Sequence, residues 1–314
     1  MIESDELLSI RAAELYYEED KTQDEIGQVL RLTRWKVGRL LAQAKSNGFI
    51  RIEIVHPRAR RLPLERRLRE ELGLNDAVVV STAGVSSEEE LQARTAQAAA
   101  DYLTSLRPVP RTLGISWGRT LHELAVHLRD GWAVGVNVVQ INGGVSLNKR
   151  AGTAAATAVT IAQKASGQAT LLPSPAILER LETKQAIEAD RAVAAVLDAA
   201  AKADAYLFSA GAADDHSVLV DSGYLTVADV DLLVRKGAVG DVVGRYIAAD
   251  GNVVDPSLDE RTVGLSHASL RASALSIAVI AGAAKHPVAH AVVGSGLCTV
   301  LVTDEDTALS LLES

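Results

Sequence analysis

The stretch TQDEIGQVLRLTRWKVGRLLAQAKSNG, residues 22–48, decides how this chain is read. Thr22 is a good N-cap, with Glu25 three residues on completing a capping box, and it opens a helix from about Gln23 to Leu30. Ile26, Val29 and Leu30 supply that helix with an apolar face. Arg31-Leu32 makes a short turn. Thr33 then caps a further helix, Arg34 to about Ser46, with Val37, Leu40, Leu41 and Ala44 inward. Asn47-Gly48 ends it, because both residues tolerate the left-handed conformation of a helix C-terminus. Upstream, Leu7, Leu8, Ile10, Ala12, Leu15 and Tyr16 recur at helical spacing over residues 5–18. Downstream, Phe49 to Val55 alternates and is β-branched, as a wing strand would be.

Three short helices with a tight turn between the second and third, then a strand, describe a winged helix-turn-helix. In that motif the third helix enters the major groove with its N-terminal residues nearest the bases. Thr33, Arg34, Trp35, Lys36 and Arg39 then face DNA, and Gln23 reaches a phosphate. Arg34 or Lys36 suits guanine; Trp35 packs on a sugar, on a thymine methyl, or within its own fold. A helical hairpin inside a larger core is the other reading of the same spacing.

Charge separates these two readings. The 314-residue chain carries −8, yet Arg31 to Arg69 holds twelve Lys or Arg against Glu53 and Glu65 alone, which is +10 and leaves −18 elsewhere. A basic block in an acidic protein is what a double-stranded DNA module attached to an acidic sensor looks like.

Pro57, Arg58, Arg60, Arg61 and Pro63 mark a join, and Leu62, Leu64, Leu68 and Leu72 make a linker helix ending at Gly73. The helix packs on its own sensor or pairs with another subunit. Because operators are near-palindromes read by dimers, the second use is expected, in a homodimer or homotetramer. The organisation is thus residues 1–56 for DNA, 57–73 for the join, and 74–314 for effector binding and oligomerisation.

From Ala77 on, apolar β-branched runs alternate with Ala-rich helical stretches. The runs are 77–81, 112–116, 134–141, 169–172, 205–209, 239–247, 276–281 and 298–303. Fully apolar strands separated by helices predict a Rossmann-like α/β domain with a mostly parallel sheet. Its ligands bind at the strands' carboxyl ends, so the loops just after strands are the candidate site. In Leu113-Gly114-Ile115-Ser116-Trp117-Gly118-Arg119-Thr120-Leu121, Gly114 and Gly118 admit a ligand to the backbone. Ser116, Arg119, Thr120 and the helix N-terminus there offer donors to a phosphate. Gln140-Ile141-Asn142-Gly143-Gly144 wraps a ligand or turns sharply. Asp241, between Gly240 and Gly244, accepts from sugar hydroxyls or caps a loop, and Lys285 gives a phosphate a point charge or lies at the surface. Asp304 caps the last helix.

These segments together resemble the SorC family of sugar-responsive regulators. At the amino end the matches are Tyr16-Tyr17, Thr22-Gln23, Glu25-Ile26, Thr33-Arg34, Val37, Arg39-Leu40-Leu41 and Gly48, with Gly38 standing where a serine is usual. Further on come the Gly-x-x-Trp-Gly-x-Thr loop, Gln-x-Asn-Gly-Gly, Gly-Asp-x-x-Gly, the Gly-x-x-Lys helix and Thr-Asp-Glu, so the likeness spans about residues 5 to 312. It implies a sensor similar to glucosamine-6-phosphate deaminase and ribose-5-phosphate isomerase. There Arg119 and Thr120 hold a phosphate, Asp241 takes hydroxyls and Lys285 adds a second charge, while Trp117 narrows the site or stacks on a sugar. The implied protein is a regulator, a repressor in the simplest case, of a carbohydrate-utilisation operon.

An enzyme of that sensor fold carrying a DNA-binding tail is the competing class, with Asp214, Asp215 and His216 as acid–base candidates. No paired Cys/His metal spacing and no nucleophile elbow is present, so no catalytic residue, metal or cofactor is expected. Cys298 lies in an apolar run as a buried, inert thiol. Glu3, Asp5 and Glu6 argue against a signal-type leader, and the longest uncharged stretches fall short of a bilayer span, so a cytoplasmic protein without a membrane partner is expected.

Overall fold

A computed structural model describes residues 2–50, 59–144 and 154–313. Most of the expected wing strand, Pro57 and Arg58 of the join, and residues 145–153 of the Ala-rich segment after Gly144 lie outside the described residues. The chain forms two compact units, residues 1–54 and 55–314.

The smaller unit comprises α1 (Ile2–Tyr17), α2 (Gln23–Leu30) and α3 (Arg34–Ser46). The capping box forms: Glu25 N donates to Thr22 Oγ1, and Thr22 N donates to Glu25 Oε2 at 2.8 Å. Thr33 Oγ1 accepts from Lys36 N and starts α3. Ala12, Leu15, Ile26, Val37, Leu40, Leu41 and Ala44 make one core. Val29 does not join it and is 55% exposed, because Ile26 and Leu30, four residues apart, already share the inward face of a two-turn helix.

Gly27 explains how the turn closes. A Cβ there would sit 2.7 Å from the backbone oxygen of Leu32. Gly27→Ala therefore forces α2 and α3 apart, an overpacking change of about 1–3 kcal/mol. We expect faster amide exchange across α2 and α3 and little change in the larger unit. Unaltered exchange in both helices would contradict this close approach.

In the larger unit α4 (Leu62–Leu72) precedes β1 (Asp76–Val80), α5 (Glu88–Ser105), β2 (Thr112–Ile115), α6 (Arg119–His127) and β3 (Asn137–Gln140). The later strands are β4 (Gln168–Thr170), β5 (Ala205–Phe208), β6 (Ala210–Ala212), β7 (Gly240–Val242), β8 (Arg245–Ile247), β9 (Ser276–Val279) and β10 (Val300–Asp304). Seven strands form one parallel sheet in the order β1-β10-β9-β5-β2-β3-β4.

Alternate strand residues serve opposite faces. Val78, Leu113, Ile115, Leu207, Ile277 and Val302 pack under α5, α6 and the helix Ala154–Lys164. Val79, Phe208, Ala278 and Leu301 pack under α4 and the helices His286–Gly294 and Glu305–Leu312. Both faces are covered, which is why the strands read as unbroken apolar runs. Leu68 of α4 is fully buried there, so the helix packs on its own sheet.

Two strands differ from expectation. Val134 is not in a strand; it is 88% exposed in a bend between Gly131 and Gly135, and β3 starts at Asn137. Residues 239–247 are not one strand of the main sheet either. They fold into the β7–β8 hairpin of a separate antiparallel sheet, β6-β7-β8, because Val243 and Gly244 take φ of 56° and 80°, the pair of left-handed residues a tight two-residue turn needs. A β-branched residue is strained there.

His267 braces this hairpin. It is buried, and its Nε2–H donates to the Val242 carbonyl at 3.0 Å. Burial pushes its pKa down to about 4, so the folded state holds it neutral. The sign follows: stability from neutral His267 is full above the free value of about 6.5 and is lost as pH falls through 4. We expect urea unfolding to show a loss on the order of 2–3 kcal/mol between pH 7 and 4 that His267→Gln largely removes. An unchanged profile in that variant would assign the loss elsewhere.

Candidate functional site

From β2 the chain runs outward to β3 and β4, then returns to β5 on the other side of β2 and continues to β9. Such a reversal opens a crevice at the carboxyl ends of the strands. A cavity of about 690 Å³ lies there, built from loops that follow β2, β5 and β9 and from the β7–β8 hairpin. Its size falls within the ~300–1,000 Å³ of small-molecule sites.

After β2, Ser116, Trp117, Gly118, Arg119 and Thr120 line the cavity. Gly118 is the N-cap of α6 with φ of 144° and provides no side-chain acceptor; His122 N, donating to Gly118 O, makes the first bond of the helix. The amides of Arg119, Thr120 and Leu121 thus keep their donors for a ligand, whereas Ser87 satisfies the corresponding group of α5. Arg119 Nη2 donates to the His216 carbonyl at 3.2 Å across the mouth.

After β9, Gly282 starts the turn Ala283–Lys285, and its N–H donates to Asp304 Oδ2 at 2.8 Å. Asp304 also accepts from Asp306 N and Thr307 N, so the residue that caps the last helix pins the loop carrying Lys285. Burial and the charge of Arg119 push the Lys285 ammonium down to about 8, against the pull of Asp241 and Asp214. On β7, burial raises Asp241 to about 6, although Gly244 N donates to its Oδ2 at 3.1 Å. Its carboxylate lies over Gly211 of β6, where a Cβ would meet Oδ1 at 2.1 Å. The charge of Arg119 at the mouth works against the Lys285 ammonium, so an anion bound between the two offsets that repulsion.

Of the residues singled out in the sequence, Ser116, Trp117, Gly118, Arg119, Thr120, Asp241 and Lys285 converge here. Gly114, Asn142, Gly143 and Gly144 do not line the cavity. Gly114 is bare because a Cβ would strike the Tyr206 ring at 2.6 Å, and Gly143 because it would strike Pro175 O at 2.2 Å. Gly144 bridges to Pro175. Asn142 is buried beside Gly264, and its side-chain amide has no partner among the described residues. Trp117 spans the two regions: its indole N–H donates to Gly143 O at 2.9 Å while its ring lies in a satellite core with Ile177 and Leu225.

The cavity also takes in Glu88, His122, Glu123, Gly211, Asp214, His216 and Ser217, which sequence reasoning did not place there as effector contacts. The position of Gly211 and Asp214 just after a strand is the signal that could have found them. Glu88 and Glu123 have none, since only the packing of α5 beside α6 brings them in. Asp214 Oδ1 accepts from His216 N, a local turn bond, and the Asp215–His216 contact at 3.6 Å is exposed at both ends.

On the smaller unit, Trp35 is 74% exposed, which removes the packing role for it. Arg34 Nη1 approaches Asp24 at 3.4 Å with both ends open to water, and Lys36 Nζ pairs with Asp5 at 3.2 Å. The basic block divides in two. Arg60, Arg61, Arg66, Arg67 and Arg69 pair with Glu65, Glu305, Glu70, Glu71 and Asp76 in the larger unit. Among the described residues, the cations of the block that belong to the helical unit are those of residues 31–45, a run without an acid.

A helix-turn-helix with a cationic helix, joined to a parallel-sheet domain with an anion-suited crevice at its switch point, defines a class: the ligand-responsive transcription regulator. Comparison with known proteins narrows it. The family model described as "Putative sugar-binding domain" matches residues 56–313. The deoxyribonucleoside regulator of Bacillus subtilis is 30% identical over 310 residues, 97% of each chain, and the sorbitol operon regulator of Klebsiella pneumoniae 28% identical over 317 residues, 100% of each. The crystal structure of full-length SorC from Klebsiella pneumoniae matches with a TM-score of 0.74 at 27% identity, covering 97% of this chain and 98% of that one. The chain belongs to the SorC/DeoR-type sugar-binding transcriptional regulators.

Proposed function

We propose that this regulator represses a carbohydrate-utilisation operon and is released from its operator by a sugar phosphate held in the crevice. The single observation that carries the effector class is the convergence of Arg119, Lys285 and the uncapped start of α6 on one cavity with Asp241 beside them. The phosphate sits between the two cations and the α6 amides, and the Asp241 carboxylate accepts from hydroxyls. Residues 1–56 bind double-stranded DNA, 57–73 join, and 74–314 hold the effector and associate into a homodimer or homotetramer. Regulation follows if the effector favours one subunit arrangement over another and so changes half-site spacing. The relatives named above are regulators, and one carries sorbitol in its name, which supports a sugar-like ligand.

Calorimetry of the purified protein against pentose and hexose phosphates and their unphosphorylated counterparts tests this reading. Binding of phosphorylated sugars without turnover is expected. Binding only of neutral sugars would remove the phosphate from the mechanism, and conversion of the ligand would return the protein to the enzyme class.

A further inference from the structure

The outward face of α3 carries Trp35, Gly38, Arg39 and Ala42 at the spacing of one helix stripe. None of the four belongs to the core of the unit. Arg39 lays its guanidinium over the Trp35 ring, Cζ 5.4 Å from the centroid, and has no carboxylate partner among the described residues. Arg34 and Lys36, the cations of the helix's first turn, each face an acid. Beside this pair the helix is bare. Gly38 adds no side chain, and a Cβ there would come within 3.3 Å of Gln23 Oε1. Gln23, Arg34, Trp35, Gly38 and Arg39 thus border an open notch on the surface of α3.

A guanidinium drawn to the face of an indole is already restricted in position and loses less freedom when it bonds. The planar fork matches the O6/N7 acceptor pair that only guanine presents in the major groove. Small residues at positions 38 and 42 let a base edge come close to the helix. Lys36, by contrast, must first leave Asp5 to reach a base. Accepting the DNA-binding reading above, we infer that Arg39, held over the Trp35 ring, is the side chain that reads a guanine in the operator. Trp35 is its positioning residue, and Gly38 admits the base edge.

Duplexes selected by the full-length protein from a random pool supply the probe. Each guanine is then replaced in turn by 7-deazaguanine, which lacks the N7 acceptor but still pairs with cytosine. At one guanine per half-site we expect the wild type to lose about tenfold in affinity. Arg39→Ala should bind more weakly and be indifferent to that replacement. Trp35→Ala should lose most of the discrimination and Trp35→Phe regain it, a pattern that loss of fold does not produce; both side chains are exposed, so the core is untouched. If no guanine is sensitive, or Arg39→Ala stays as sensitive as the wild type, the assignment to Arg39 is wrong while DNA binding stands. If no duplex is enriched at all, the DNA-binding reading fails and this inference with it.

Discussion

Lys285→Met should abolish the response to effector, with sugar-phosphate affinity down at least a hundredfold, while operator affinity without effector stays at the wild-type level. The same variant should unfold later, by about 1–2 kcal/mol, because methionine fills the space without a charge that is costly to bury. A gain in stability with a loss of binding separates this from damage to the fold. Arg119→Ala should also lose the response, but without that gain, since Arg119 lies at the exposed mouth. Effector affinity should weaken as pH rises through about 8, where Lys285 gives up its proton. It should weaken again below about 6, where a phosphate monoester loses its second charge and Asp241 becomes neutral. A bound anion favours the charged ammonium, so binding at pH 8 should take up protons, seen as a buffer-dependent heat. Arg119→Ala with an unaltered response would remove the phosphate from this end of the crevice.

Arg34→Ala combined with Lys36→Ala should lower operator affinity at least a hundredfold and leave sugar-phosphate calorimetry as it was. Removing a cation that neutralises one DNA phosphate reduces the salt dependence by about one unit of slope. Arg34 should account for most of the change, because its ion pair is open to water whereas Lys36 is half-buried against Asp5. Equal weakening by Lys36→Ala alone would mean that DNA draws Lys36 away from Asp5. Wild-type affinity in the double variant would place the interface elsewhere.

Much of the fold lies open in the sequence wherever local chemistry and tertiary packing agree. Thr22 with Glu25 and Thr33 with Lys36 N fix helix starts through bonds between near neighbours, and those starts fall where the residue types put them. The main sheet is legible because its strands are covered on both faces. The hairpin at residues 239–247 is not, since its turn uses a left-handed valine that no propensity favours. For the crevice, Arg119 and Lys285 could be found from their position after strands. The glycines misled: Gly114 and Gly143 look like ligand-facing backbone, yet they make room for Tyr206 and Pro175 from distant parts of the chain. The basic block misled in part as well, because the acids that neutralise Arg61 and Arg69 lie beyond its end.

The most direct measurement is the affinity of the intact protein for a labelled duplex from upstream of its own gene, taken at one fixed salt concentration with and without a sugar phosphate that calorimetry has shown to bind. Coupling of ordinary size predicts about a 5- to 150-fold change for the wild type and none for Lys285→Met. Identical affinity in the two states, with the crevice demonstrably occupied, would mean that the crevice does not control the operator.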